Sequence, residues 1–127
     1  MENGKVVRRH EKLEAWRDSM DLVVAIYRIA DTFPSHERFA LASQLKRACV
    51  SVPANIAEGA ARGSHKEFLR FLGIARGSLA EVETHLQIAE RLGYSNGNSE
   101  VFYLANKTYA KLNALIRMLK SKTEVGV

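Results

Sequence analysis

The chain has 127 residues, of which 46% are hydrophobic and 26% are charged, a composition typical of one soluble globular domain. No apolar run approaches the ~20 residues that a membrane-spanning helix needs. The N-terminus is polar and basic and lacks an apolar signal core, so we expect a cytoplasmic protein without membrane contact. The formal net charge of +5 favours contact with nucleic acid or another anionic surface without establishing either.

Residues 1–11 show no apolar periodicity and are predicted to form a flexible basic arm, with phosphate contact left open as an alternative. The first helix is predicted from Lys12 to Phe33, because apolar residues recur at steps of three and four. Its apolar stripe is wide, which suits a helix with a neighbour on each side and equally one that packs against another subunit. Pro34 ends this helix.

The second helix is predicted from Ser35 or His36 to Arg62. Pro53 cannot donate a backbone hydrogen bond, and its ring crowds the preceding turn, so we predict a kink or a break near Ser51–Val52. The sole cysteine, Cys49, permits no internal disulfide, and its apolar neighbours favour inert packing.

The third helix is predicted from Ser64 to Leu92, because Gly63 suits a helix end and Ser64 suits an N-cap. Within it, Gly73 and Gly77 lower helix propensity, a cost that is tolerable if another backbone approaches closely there. The fourth helix is predicted from Ser99 to Lys120, followed by a flexible tail at 122–127. Short loops between four helices predict an all-α, antiparallel, up-down-up-down four-helix bundle over residues 12–121.

Several kinds of catalytic site lack their sequence signatures. The Glu-x-x-His pairs of di-iron bundles are absent, as are a recognisable Ser/Cys-His-acid arrangement and a phosphate-binding loop. Glu81 and His85 stand one turn apart, and a hydrogen-bonded pair is favoured there over a weak metal site. We therefore predict that the protein is not an enzyme and has no catalytic residue, metal site or cofactor.

Polar residues interrupt the apolar faces of the second and third helices. Buried polar groups cost free energy unless they are paired, so these residues are interpreted as a structural network that fixes helix register, with a ligand site as the alternative. We predict that Arg47 pairs with Glu81 or Glu83. The predicted network comprises Arg47, Asn55, Glu58, Ser78, Glu81 and Glu83.

Two stretches resemble a known family: QLKRACVSVPANIAEG and ARGSHKEFLRFLGIARGSLAEVETHLQIAERLGY. They are similar to the four-helix-bundle proteins encoded by intervening sequences of bacterial 23S rRNA, and the resemblance covers residues 12–94. Its specific elements are S-x-P-x-N-I-A-E-G at 51–59 and G-S-L-x-E-x-E at 77–83. The resemblance marks these residues as architectural or interaction residues: Lys46, Arg47, Ser51, Pro53, Asn55, Glu58, Gly59, Ser78, Glu81 and Glu83.

The resemblance also implies function. Relatives assemble as pentameric rings and have no established catalytic activity, and a similar accessory protein of diversity-generating retroelements forms a basic pentameric barrel that engages nucleic acid and a reverse transcriptase. Two hypotheses follow: a homo-oligomeric RNA- or DNA-binding accessory protein, or a protein-interaction scaffold without nucleic-acid binding. The first would use an outer basic surface, with little base stacking, formed by Lys46, Arg62, Lys66, Arg70, Arg76, Lys107, Lys111 and Arg117.

Overall fold

The computed structural model describes residues 6–94 and 99–125. No strand occurs within these two ranges. Two 3-10 helices, Arg9–Lys12 and Ser35–Glu37, accompany four α-helices. These are α1 (Glu14–Ala30), α2 (Leu41–Ala61), α3 (His65–Arg91) and α4 (Ser99–Val125).

The four helices form a closed square in which each helix contacts two neighbours. α2 packs against α1 and α3, and α4 packs against the other sides of α1 and α3. The contact between α2 and α3 is the most extensive, and that between α3 and α4 is the smallest. This arrangement confirms the predicted all-α four-helix bundle. No helix in the described residues is long and apolar enough to cross a membrane.

The apolar seams of the four helices meet in one core. Burying these side chains supplies most of the free energy that favours folding. The largest apolar side chains that are fully buried are Leu22, Ile26, Leu45, Ile56, Leu72, Leu79, Leu86 and Leu112.

The start of α3 follows the sequence prediction. Gly63 has a φ of 87°, which glycine adopts without steric cost, and the backbone amide of Glu67 donates to the hydroxyl of Ser64 at 3.2 Å. The Glu67 carboxylate, however, accepts a hydrogen bond from Arg70 at 3.0 Å. The cap therefore depends on Ser64, while Glu67 serves an ion pair on the first turn of α3.

The start of α2 differs from the prediction. Residues Ser35–Glu37 form a separate 3-10 helix, and α2 begins only at Leu41. The Glu37 carboxylate accepts a hydrogen bond from the backbone amide of Leu41 at 3.3 Å, and such bonds satisfy donors that have no intrahelical partner. Glu37 therefore lies before α2 and stabilises its first turn from outside the helix.

Two other boundaries also differ. The predicted break near Pro53 does not occur, because α2 continues through this residue to Ala61; the kink stays a prediction. α4 extends to Val125, beyond the predicted end at Lys120. Residues 9–12, assigned from sequence largely to the flexible arm, form a 3-10 helix. The predicted loop at 95–98, residues 1–5 and residues 126–127 lie outside the described part of the chain.

Gly59 is crowded by a neighbouring helix, whereas Gly73 and Gly77 are not. A Cβ atom added at Gly59 would lie 2.7 Å from the Cβ of Phe71, so α2 and α3 approach each other closely there. At Gly73 and Gly77 an added Cβ would meet nothing within 4 Å. The close approach that would accommodate Gly73 and Gly77 is thus not found within the described chain. A close approach occurs instead at Gly59, where α2 meets the first turns of α3.

Candidate functional site

A small polar cluster fastens the middle of the interface between α2 and α3. The hydroxyls of Ser51 and Ser78 are hydrogen-bonded at 2.8 Å. The side-chain amide of Asn55 donates to the Ser51 hydroxyl at 2.9 Å and to the Ser51 carbonyl at 2.8 Å. All three side chains are half-buried. They satisfy one another across the helices, as expected for a register-fixing role.

The other predicted network residues do not join this cluster. Arg47 is exposed, and no described carboxylate lies within ion-pair distance of it, so the predicted pairing with Glu81 or Glu83 is wrong. Glu58 pairs instead with Arg62 on the same helix, at 2.7 Å. Arg47 and Glu81 are both exposed, and Glu83 lies beside Tyr109 of α4. Neither carboxylate is therefore buried against Arg47 at this interface.

Glu81 lies 3.5 Å from the Nε2 atom of His85. Both ring nitrogens of His85 are buried, and neither has a hydrogen-bond partner among the described residues, so the predicted hydrogen bond is not formed. No group of three or more His, Cys, Asp or Glu side chains in the described ranges could hold a metal ion. Glu81 and His85 alone offer fewer protein ligands than a zinc site uses.

Glu83 belongs to the interface between α3 and α4. Burial raises the pKa of its carboxyl. The pKa of Tyr109 on α4 is also raised, first by burial and then by the charge of Glu83. On the same side of the bundle, the Arg76 guanidinium donates to the side-chain carbonyl of Asn113 at 3.0 Å. These groups connect α3 to α4, away from the cluster of Ser51, Asn55 and Ser78.

Cys49 is fully buried. Burial raises the pKa of its thiol to about 12, and the thiol donates to the Lys46 carbonyl at 3.1 Å. At neutral pH the side chain is therefore the protonated thiol, which is a poor nucleophile. This environment agrees with the inert packing predicted from the sequence.

Three of the eight predicted surface cations meet at the connection between α2 and α3; we call Arg62, Lys66 and Arg70 the turn cluster. The guanidinium carbons of Arg62 and Arg70 lie 5.0 and 4.4 Å from the centroid of the Phe71 ring. Arg62 also pairs with Glu58, and Arg70 pairs with Glu67 at 3.0 Å. Contact with the same ring holds both guanidinium groups close together. Lys66, between them in sequence, is exposed.

The remaining five predicted cations do not join the turn cluster. Lys46 lies at the opposite end of the bundle, where it pairs with Asp31 at 3.0 Å and lies over the Tyr27 ring. Arg76 donates to Asn113, as described above. Arg117 is exposed, with no ion-pair partner in the described residues. On the side where α4 packs against α1, Lys107 pairs with Asp18 and Lys111 pairs with Glu14.

The N-terminal 3-10 helix adds two cations to the end that carries the turn cluster. The Arg17 guanidinium donates to the carbonyls of Glu11 and Lys12, both at 2.9 Å, and the His10 ring meets the Trp16 ring edge-on at 5.1 Å. These contacts hold Arg8 and Arg9 beside the last turns of α2. Sequence reasoning placed both in a flexible arm, because Arg17, which fixes this segment, looks like an ordinary exposed residue.

A groove separates this N-terminal segment from α2. Its volume is about 430 Å³. We call it the alanine groove, after the three alanines on its α2 side. It is lined by Arg8, Arg9, His10, Ala57, Ala60 and Ala61.

Comparison with known proteins agrees with this architecture. Among curated proteins, none matches the chain significantly. A crystal structure of a protein of unknown function from the S23 ribosomal protein family of Bacteroides thetaiotaomicron VPI-5482 matches with a TM-score of 0.69 and 23% identity, over 84% of this chain and 95% of that chain. At this identity the match shows a shared fold. The family model of the 23S rRNA-intervening sequence protein matches residues 11–121, and the chain therefore belongs to that family.

Proposed function

We propose that this protein is a non-enzymatic, homo-oligomeric helical bundle that binds RNA or DNA through the end of the bundle where α2 meets α3. The observation that carries the proposal is the collection of cations at this end: the turn cluster on α2 and α3, with Arg8 and Arg9 held against α2. We also propose that the protein is located in the cytoplasm, as expected from the sequence.

The ends of the bundle differ in charge. Because α4 runs antiparallel to α3, its last turns lie at the end that carries the turn cluster, and they add the exposed side chains of Arg117, Lys120 and Lys122. The basic end also carries Glu11, Glu58 and Glu67, which are outnumbered there by the cations. At the opposite end, Asp31, Glu37, Glu90 and Glu100 nearly balance the basic residues. A polyanion is therefore attracted to one end of the molecule in particular.

Aromatic residues at the basic end are unsuited to base stacking. Phe68 and Phe71 are only 4% and 6% exposed, so their ring faces are occupied by the core or by arginines. Arginine and lysine contacts to phosphates hold a nucleic acid without reading its sequence. Binding should accordingly depend strongly on salt and weakly on sequence.

Self-association is the second part of the proposal, and the family resemblance suggests a pentamer. α1 presents Met20, Val24 and Tyr27 at helical spacing, each at least 40% exposed, and α2 presents Val50 at 42%. Lys46, one turn before Val50, lies over Tyr27, so the two sets lie on the same side of the bundle. An apolar surface on two adjacent helices suits contact with a second copy. A monomer by light scattering would contradict this part.

Fluorescence anisotropy with labelled RNA and DNA hairpins at low and moderate salt tests nucleic-acid binding. The double variant Arg62→Gln/Arg70→Gln should weaken binding and reduce the magnitude of the salt slope by about one per lost phosphate contact. The matched control Lys107→Gln/Lys111→Gln removes the same charge from the side where α4 packs against α1. It should retain the full slope. No binding by the parent protein at low salt would eliminate the proposal.

A scaffold role without nucleic acid is the second candidate, and one specific observation favours it. Phe39, between the second 3-10 helix and α2, is 87% exposed, and large aromatic side chains often anchor protein interfaces. The hairpin experiment separates the two functions. An oligomer that fails to bind either hairpin at low salt supports the scaffold role.

A further inference from the structure

We infer that the alanine groove accommodates one unpaired nucleotide, with its phosphate against Arg8 or Arg9 and its base over the alanines of α2. The shared chemistry is that of a nucleoside monophosphate, which either a single-stranded extension or a free nucleotide supplies. For the strand-borne nucleotide, this inference rests on the proposed nucleic-acid binding.

The cations of the groove are available to an anion. No described carboxylate lies within ion-pair distance of Arg8 or Arg9, whereas Arg62 and Arg70 each have one. Glu11, the nearest acidic residue in sequence, accepts a hydrogen bond from the backbone amide of Arg8 at 2.6 Å. Guanidinium groups bind phosphate in a bidentate manner and also stack on bases. Both interactions therefore remain open to the exposed side chains of Arg8 and Arg9.

The α2 side of the alanine groove explains why the occupant is one nucleotide. Ala57, Ala60 and Ala61 project only methyl groups, which leaves about 430 Å³ between α2 and the N-terminal segment. Ligand sites of this size accept small organic molecules, and most combine an apolar wall with a few polar groups. A base and its sugar suit the methyl-lined wall. In a duplex the base faces are stacked on each other, so an unpaired nucleotide is required.

The groove exists before any ligand arrives. Arg17 holds the carbonyls of Glu11 and Lys12, and His10 packs against Trp16, so the N-terminal wall is fixed on α1. A preformed site avoids the entropic cost of ordering that wall on binding. The turn cluster, on the neighbouring helix ends, can hold the phosphates that continue from the bound nucleotide.

The test compares two labelled RNA hairpins, one with a blunt end and one with a single-stranded 3′ extension. The parent protein should bind the extended hairpin roughly fivefold more tightly, the effect of burying about 40 Å² of apolar base and sugar surface against the methyl groups. Ala61→Trp fills the groove without altering charge, and it should bring the ratio of the two dissociation constants close to one. Ala110→Trp, at an exposed position on α4, should preserve the ratio.

The outcomes separate this inference from the proposed function. Equal affinities of the parent protein for the two hairpins overturn the inference while leaving nucleic-acid binding intact, and so does a preference that survives Ala61→Trp. If neither hairpin binds at low salt, the proposed function fails.

If neither hairpin binds, titration with adenosine 5′-monophosphate tests whether the alanine groove binds a free nucleotide. Nucleotide binding in the groove is supported by saturable NMR shifts that are lost in Ala61→Trp. These shifts are expected at the amides of Ala57, Ala60 and Ala61. Unchanged spectra at millimolar nucleotide overturn nucleotide binding in the groove.

Discussion

The interface between α2 and α3 and the interface between α1 and α4 are fastened by different chemistry. The first is held by close backbone approach at Gly59, by the hydrogen bonds of Ser51, Asn55 and Ser78, and at its far end by Glu37 and Tyr94. In the second, the polar links are the ion pairs Lys107–Asp18 and Lys111–Glu14.

The difference shows which contacts can set register. Short side chains and a bare glycine tolerate only one alignment of two helices, because a shift along the axis separates their atoms. Long lysine side chains reach a carboxylate from several alignments. The Lys111–Glu14 pair is exposed and contributes little, and Lys107, itself 42% exposed, reaches the buried Asp18 at 3.5 Å. The alignment of α2 with α3 should therefore be the more sensitive to mutation.

The largest expected effect comes from Gly59→Ala. Its Cβ would lie 2.7 Å from the Cβ of Phe71 and 3.3 Å from the backbone oxygen of Phe68, and neither atom belongs to a flexible side-chain end. We expect a loss of about 1–3 kcal/mol in the free energy of unfolding, as for other overpacked cores. Urea denaturation measures it, and an unchanged midpoint would show that α2 and α3 separate easily.

Gly73→Ala makes the same chemical change where nothing lies within 4 Å. Here the gain in helix propensity should raise the free energy of unfolding by up to about 1 kcal/mol. Urea denaturation should therefore show a stability change of opposite sign to that of Gly59→Ala. A loss of stability at Gly73 would mean that another molecule covers this face in solution.

Ser78→Ala tests the middle of the interface between α2 and α3. It removes the hydrogen bond to Ser51 but leaves the one that Asn55 donates to the same hydroxyl. We expect a loss of about 1 kcal/mol in thermal or chemical unfolding. Ser121→Ala, at an exposed position on α4, is the control. A loss no larger than that of the control would count against the register role.

Tyr94→Phe tests the far end through pH. The Tyr94 hydroxyl donates to the Glu37 carboxylate at 2.6 Å and lowers the pKa of Glu37 below its usual 4.5. Because the folded-state pKa is depressed, this stabilisation is present above pH 4.5 and disappears as pH falls through the lower, folded-state value. Melting temperatures measured from neutral pH to about pH 3 should fall less steeply in the variant.

Tyr103→Phe is the matched control for this titration, because Tyr103 is 64% exposed. Its acid-side slope should match that of the parent protein. If Tyr94→Phe also follows the parent slope, the hydrogen bond to Glu37 does not contribute to acid stability.

Lys111→Met should have the smallest effect. Both members of the Lys111–Glu14 pair are substantially exposed, and salt screens such pairs. The melting temperature should change less than in Gly59→Ala or Ser78→Ala, and the difference should vanish in high salt. A large change that persists in salt would place the interface between α1 and α4 on equal terms with that between α2 and α3.

The sequence predicted the existence and order of the four helices, but it missed the start of α2, the end of α4 and most contacts between helices. Apolar periodicity and the Ser64 cap are local signals, and they correctly predicted four helices and the start of α3. The pairing of Arg47 failed, because helical spacing identifies a face but does not say which neighbour it meets or how deeply it is buried. For the same reason, the sequence did not distinguish Ser51, Asn55 and Ser78, which contact one another, from Glu58, Glu81 and Glu83, which do not join them.

The candidate site was less predictable than the fold. The amino-acid types of Arg62, Lys66 and Arg70 indicate charge, but only the packing of Phe71 brings the two arginines together. Arg8 and Arg9 lacked any periodic signal, and their position depends on hydrogen bonds from Arg17 to backbone carbonyls. Contacts to backbone carbonyls leave almost no mark in a single sequence.

The burial of Cys49 has a practical consequence. Cys49 is the sole cysteine and is buried in the core, so it should not react with maleimide dyes while the bundle is folded. A cysteine introduced on the surface could therefore be labelled with a single fluorophore. The slow reaction of Cys49 itself with a thiol reagent would then time the transient openings of the native bundle.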